Sequence, residues 1–448
     1  MNKLLPLTII IALILAACEN DKVQLTTQTD VQLENAIKRY SATGELDHFI
    51  LPQSNDYANI PTSPENPITP VKVALGKFLF FETGLGLSPM QEIGKGTYSC
   101  GSCHIPSAGF KPGRAQGIGE GGEGFGINGE DRTMSDYYSP EQLDVQGARP
   151  LNVLNAAYVT NALWNGQFGG RDVNEGTEAV WSEHNGTTIN HLGYGGLESQ
   201  NIESLHLHRM VVNKDVVTSL GYLPYFDSAF SEFSEEERYS DVTASFAIAA
   251  YLRTLLTTEA PFQYYLKGDK DALTAQEKRG ALLFFSDAKC AACHNGPSLN
   301  AMNFYALGVK DLHQTEHTVF NTSPNDTRLL GRGGFTGAEE DMYKFKVPQL
   351  YNLKDTPFYF HGSSKTSLEE VVKYFNDAVV ENPNVPSSQI PPIFRPLGLS
   401  QAEMDDLVAF LKNGLHDPNL KRYQPDYILS GDCFPNNDLQ SRIDLGCD

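Results

Sequence analysis

Leu75-Gly76-Lys77-Phe78-Leu79-Phe80-Phe81 precedes Ser99-Cys100-Gly101-Ser102-Cys103-His104, and the order returns as Arg279-Gly280-Ala281-Leu282-Leu283-Phe284-Phe285 before Cys290-Ala291-Ala292-Cys293-His294. Each Cys-x-x-Cys-His reads as a covalent c-type haem attachment site. Two thioether bonds would fix a porphyrin, and the adjacent His104 or His294 would become the proximal iron ligand. A redox disulfide or half a zinc site is the other reading of Cys-x-x-Cys. A histidine follows in both copies, and no further cysteine cluster completes a zinc tetrad. The glycine of each preceding run permits a close helix crossing, and the phenylalanines one turn later can wall a porphyrin.

Outward from these motifs the chain reads as mainly α. Thr274-x-x-Glu277, Ser367-x-x-Glu370 and Ser400-x-x-Glu403 are capping boxes before apolar periodic runs. Asp241 to Leu256 is a further apolar helix, and few segments alternate with period two. The helix from Ser400 to Asn413 is a plausible crossing partner for the second copy. Helix, motif and closing helix resemble the cytochrome c unit, present twice, so the expected fold is two cytochrome c-like haem domains with long loops. Gly117-Ile118-Gly119-Glu120-Gly121-Gly122 matches a dinucleotide fingerprint formally, but no strand precedes it and no amphipathic helix follows.

The remaining cysteines speak to compartment. Of seven, four lie in the motifs. Cys18 follows Leu15-Ala16-Ala17, which resembles a lipobox, behind Lys3 and an apolar run too short to span a membrane. The expectation is a lipoprotein signal over residues 1–18, a polar tether over 19–65 carrying one short helix, and haem domains over 66–270 and 271–430. A tail over 431–448 would close on a Cys433–Cys447 disulfide, as suits an oxidising compartment. The expected location is periplasmic, with a lipid anchor to the membrane. The formal net charge of −21 disfavours nucleic acid and would steer a basic redox partner.

Electron transfer and oxygen chemistry part at the sixth iron position. Candidate sixth ligands are His206, His208, His313, His317, His361, Met302, Met342 and Tyr374.

Several blocks together resemble the bacterial di-haem cytochrome c peroxidases, a family that includes related tryptophylquinone-maturation enzymes. They are the two motifs, Leu75–Phe81, Val153-Leu-Asn-Ala-Ala-Tyr158, Leu163-Trp-Asn-Gly166, Phe345-Lys-Val-Pro348 and Tyr359-Phe-His-Gly362, in family order across roughly residues 65 to 415. The resemblance implies two covalent haem c groups, held by Cys100 and Cys103 and by Cys290 and Cys293. It implies that the first haem reduces hydrogen peroxide. The second would take electrons from a small c-type cytochrome or copper protein, and Trp164 would lie between them. Homodimers are common in the family. A di-haem oxidase acting on a protein or organic substrate, and a pure electron-transfer cytochrome, are the alternatives.

Departures from the pattern carry further expectations. Glu120 stands where many members place a histidine on the peroxidatic iron, so the first haem would be open without reductive activation. Fourteen residues after His361 stands Phe375, which cannot ligate iron, leaving Tyr374 as the neighbouring candidate ligand of the second haem. Arg149 replaces the usual calcium-site asparagine, which makes an interhaem calcium doubtful. Peroxide cleavage needs a proton carrier and a donor to the leaving oxygen. Gln200 and Glu203, in Gly196–Met210, are the residues the resemblance offers.

Overall fold

The computed structural model describes residues 27–447. The readings made of residues 1–26, the signal segment and the lipid-modified Cys18, lie outside the described residues. Helices and short 3₁₀ turns dominate. Among the described residues, strands are confined to two antiparallel pairs, Gly122–Glu123 with Thr133–Met134 and Phe304–Tyr305 with Phe345–Lys346.

The two large hydrophobic cores among the described residues each form around one crossed helix pair. In the first, Pro70–Phe81 crosses Asp241–Arg253. In the second, Ala275–Phe284 crosses Gln401–Ala409, which continues into a wider turn at Phe410–Gly414. The glycines set both crossings. A Cβ on Gly76 would lie 2.9 Å from the Ile248 nitrogen, and one on Gly280 would lie 2.6 Å from the Asp406 carbonyl carbon. Only a residue without a side chain lets the backbones approach so closely.

The chain ends depart from the linear division. From Thr27 the expected tether is packed structure. The Gln28–Lys38 helix buries Leu33, Ala36 and Ile37 in the second core, Asp30 pairs with Lys278 at 2.8 Å, and Phe49 meets Phe285 edge-on at 5.6 Å. The apolar face of that helix would otherwise stand in water, so it seats on the Ala275–Phe284 helix. The other end returns to the first unit: Leu420, Tyr423 and Ile428 join the core of Leu75, Phe80 and Tyr251. The second unit's core therefore closes before residue 430. Beyond it, Phe434 packs on Phe81 at 5.8 Å, and the Ser99 hydroxyl donates to the Pro435 carbonyl at 2.8 Å. Cys433 and Cys447 are disulfide-bonded with a Cα–Cα distance of 5.9 Å.

Candidate active site

The two Cys-x-x-Cys-His motifs fold alike. Each opens as a 3₁₀ turn, Cys100–Ser102 and Cys290–Ala292, and each histidine nitrogen returns to the carbonyl of the first cysteine, at 3.1 and 3.0 Å. The His104 Nδ1 donates to the Phe110 carbonyl at 3.0 Å, and the His294 Nδ1 donates to the Leu299 carbonyl at 2.8 Å. This fixes the tautomer and leaves the Nε2 of His104 for a metal, while the His294 ring also has the Pro348 carbonyl within hydrogen-bond reach. Phe80 stands 6.2 Å from the His104 ring, and Phe284 stands 6.3 Å from the His294 ring. Burial lowers both histidines to about 4, which keeps the imidazoles neutral, the ligating form.

These residues fit a covalent haem in each unit. Cys100, Cys103, Cys290 and Cys293 are free and half-buried, although burial pushes the Cys100, Cys103 and Cys290 thiols up to about 12. Beside the first motif lie buried cations without a carboxylate: burial lowers Lys111 to about 7, and Nε of both Arg114 and Arg149 has no hydrogen-bond partner. Uncompensated buried cations call for an anion, and haem propionates would supply one.

Trp164 lies in the seam between the units. Its Nε1 donates to the Arg149 carbonyl at 2.7 Å, and its own carbonyl accepts from the Lys346 nitrogen at 2.7 Å. The ring stands 6.2 Å from His361 and 6.4 Å from Phe345, which stack on one another at 3.7 Å. Arg149 ties the same seam. Its guanidinium donates to the carbonyls of Pro112, Arg114 and Ala115 and to the Thr356 hydroxyl, and its backbone nitrogen donates to the His361 carbonyl at 2.7 Å. A fixed cation thus occupies the position at which calcium was doubtful.

Glu120 is fully buried and fully engaged. Its carboxylate accepts from the Met90 nitrogen at 2.5 Å, the Tyr138 hydroxyl at 2.9 Å and Arg209 Nε at 2.5 Å. A carboxylate so satisfied is an anchor and is not available as a base. Around it gather Asp144, His208 and Tyr98. The His208 Nδ1 donates to Asp144 at 2.6 Å, Arg209 lies 4.0 Å from Asp144, and the Tyr98 hydroxyl donates to the His208 carbonyl at 2.7 Å. The glycine loop connects this cluster to the motif. A Cβ on Gly117 would lie 2.6 Å from the Cys103 sulfur, and one on Gly119 would lie 2.6 Å from the Asp144 carboxylate.

The structure does not bring Gln200 and Glu203 into that cluster. Both lie on the half-buried face of the Gly196–Leu207 helix. The Gln200 amide donates to Ser204 at 2.8 Å, and the Glu203 carboxylate lies against the turn at Gly186, where a Cβ would come within 2.7 Å of its carboxyl carbon. Burial raises the Glu203 carboxyl above its ordinary value. The neighbouring Glu198 is structural: both its oxygens accept from Arg253, at 2.6 and 2.9 Å.

In the second unit Tyr374 is buried among Phe360, Phe375 and Phe394, and its hydroxyl donates to the Leu307 carbonyl at 2.6 Å. His361 is held by Asp311 at 2.9 Å. Both candidate ligands therefore have protein partners. Sequence reasoning missed the roles of Asp144, Tyr138 and Arg209. His208-Arg209 at the end of its helix was a visible signal, whereas nothing local marked Asp144.

Comparison with known proteins agrees with this geometry. The family described as di-haem cytochrome c peroxidase matches residues 70–271. The chain is 28% identical over 371 residues to cytochrome-c peroxidase IdrP1 of Denitromonas iodatirespirans, covering 79% of this chain and 84% of that one. It is 27% identical over 420 residues to the methylamine utilization protein MauG of Methylorubrum extorquens, covering 93% and 98%. Among solved structures, a MauG-like protein associated with microbial copper homeostasis shares the fold with a TM-score of 0.57 at 24% identity, covering 83% of this chain and 95% of that one. No helix among the described residues is long and apolar enough to cross a membrane. Two matching Cys-x-x-Cys-His cradles meet at a tryptophan seam, and over residues 70–271 the chain matches the di-haem cytochrome c peroxidase family.

Proposed function

We propose that the protein reduces hydrogen peroxide to two waters, using two electrons from a small c-type cytochrome or copper protein outside the cytoplasm. When bound, the haems supply a peroxide-binding iron in the first unit and an electron relay in the second. His104 and His294 present neutral Nε2 atoms to those irons, oriented by the Phe110 and Leu299 carbonyls. The observation that carries the reading is Glu120. The loop that would hold a blocking imidazole holds a carboxylate instead, and Arg209, Tyr138 and Met90 fix it in place. Trp164, tied to Arg149, bridges the seam that electrons must cross. Gln200 and Glu203 flank the first unit from the Gly196–Leu207 helix. The charge of −21 favours a basic donor.

The test is stopped-flow absorbance of the haem-loaded, fully oxidised protein mixed with peroxide, repeated after one-electron reduction. A rapid Soret change in the oxidised protein is expected. A response only after reduction would mean that another residue blocks the first iron. Silence in both states, with both irons refusing cyanide, would leave an electron carrier.

A further inference from the structure

We propose that His208, oriented by Asp144, is the catalytic residue that carries the proton during peroxide cleavage at the first haem, in place of Glu203. The inference rests on the peroxidase reading above and names the residue that serves it.

Three observations place His208 there. First, it belongs to the cluster built on the glycine loop after the first motif, where Gly117 packs on Cys103 and Gly119 packs on Asp144. His208 lies close enough to His104, and Asp144 to Cys103, for their charges to be felt. Second, burial opposes the imidazole's charge most, but Asp144 outweighs it and raises the group above its ordinary value, and 27% of the side chain is accessible. Cys103 and His104 share that combination of desolvation and partial accessibility, and they must face the porphyrin. Third, only one of its nitrogens is engaged by the protein. Nδ1 donates to Asp144 at 2.6 Å, which fixes the tautomer and leaves Nε2 as an acceptor. The alternatives are engaged or displaced: Glu120 is saturated, and Glu203 lies against the Gly186 turn.

Asp144 is itself kept ionised. Burial opposes its charge, but the neighbouring His208 and Arg209 outweigh burial and hold the carboxyl below its ordinary value. The chemistry then balances. His208 Nε2 takes the proton from the peroxide oxygen nearer the metal and returns it to the far oxygen. The O–O bond breaks with its electron pair on the far oxygen, which leaves as water. The near oxygen becomes the second water with two electrons from the donor protein and two protons from solvent.

The experiment uses the haem-loaded full chain and four variants: His208→Ala, Asp144→Asn, Glu203→Ala and His206→Ala. His206 is an exposed neighbour paired with Asp241 and serves as the control. Three readouts are followed: the peroxide reaction rate, the cyanide association rate, and the low-temperature EPR of the ferric first haem. Cyanide must shed its proton on binding, so its association reports the base without turnover. We expect His208→Ala to slow peroxide by about 10²- to 10⁴-fold, the usual range for a general acid–base residue. Cyanide association should fall in parallel, the EPR should stay unchanged, and added imidazole should restore rate. Asp144→Asn should fall between wild type and His208→Ala. A His208→Ala rate within about threefold of His206→Ala would overturn the inference. So would a low-spin to high-spin change in His208→Ala, which would make His208 an iron ligand, or a loss confined to Glu203→Ala. If wild type ignores peroxide in both oxidation states, the peroxidase reading fails, and the cyanide rates still decide whether His208 faces the iron.

Discussion

Gly280→Ala adds one methyl where two helices cross, and its cost follows from the packing. The new Cβ would sit 2.6 Å from the Asp406 carbonyl carbon and 2.9 Å from the Phe410 Cβ. Non-bonded carbons rest at about 3.5–4.0 Å, so the Gln401–Ala409 helix would have to retreat by roughly 1 Å. The obstacle is backbone and cannot rotate aside. Overpacking of this kind costs about 1–3 kcal/mol. Alanine recovers about 0.5–1 kcal/mol through its better helix propensity. The net expectation is a loss of about 1–2 kcal/mol, or about 2–8 °C in Tm at about 2–4 °C per kcal/mol. The same retreat would loosen Phe410 against Phe284, the ring beside His294. The assay is thermal unfolding of the haem-loaded protein by far-ultraviolet circular dichroism and Soret absorbance, with the second haem's reduction potential read separately. The perturbation should concentrate on the second haem, with Gly76→Ala doing the same to the first. A Gly280→Ala protein more stable than wild type would refute the close-crossing account of the repeat.

Glu198→Gln should destabilise the first unit by about 3–5 kcal/mol, because it leaves Arg253 buried without its counter-charge. Burial alone would raise the Glu198 carboxyl, but Arg253 outweighs it and holds the group below its ordinary value of 4.5. Its stabilisation is therefore complete above that value and is lost as pH falls below it, which acid titration of Tm in wild type and variant would show. Arg149→Ala should cost about 3–5 kcal/mol by stranding buried carbonyls, while a chelator should leave the wild-type Tm unmoved; a chelator-sensitive Tm would restore calcium to the seam. Trp164→Phe removes the donor to the Arg149 carbonyl, worth about 1 kcal/mol, and should slow electron exchange between the haems after pulsed one-electron reduction. An unchanged exchange rate would take Trp164 out of the path. Replacing both Cys290 and Cys293 by alanine should leave one covalent haem per chain in a denaturing gel stained for haem.

The sequence alone carried what depends on residues close together in the chain. Cys100-x-x-Cys103-His104 and its copy at 290–294 fold as two like turns because turn and histidine lie within five residues. Capping boxes at Thr274 and Ser400 start helices because the reciprocal hydrogen bonds span three residues. The glycine–phenylalanine repeat was legible for the same reason.

Tertiary structure decided everything that depends on distant partners. Residues from Thr27 onward read as a tether because their polarity is local, yet Leu33 and Ile37 find their apolar partners in the second core. The 420–447 stretch follows the second unit in sequence but packs on the first, because its aromatic and apolar side chains complete a core begun hundreds of residues earlier. Glu120 read only as a carboxylate in place of a histidine in a glycine loop, and Arg209 and Tyr138, from elsewhere in the chain, make it a buried anchor. His208 was one of eight candidate iron ligands, and it gained a direction only when Asp144, 64 residues away, accepted a hydrogen bond from its Nδ1. Short-range hydrogen bonds and periodicity are written along the chain, whereas burial and charge pairing exist only once the chain has closed on itself.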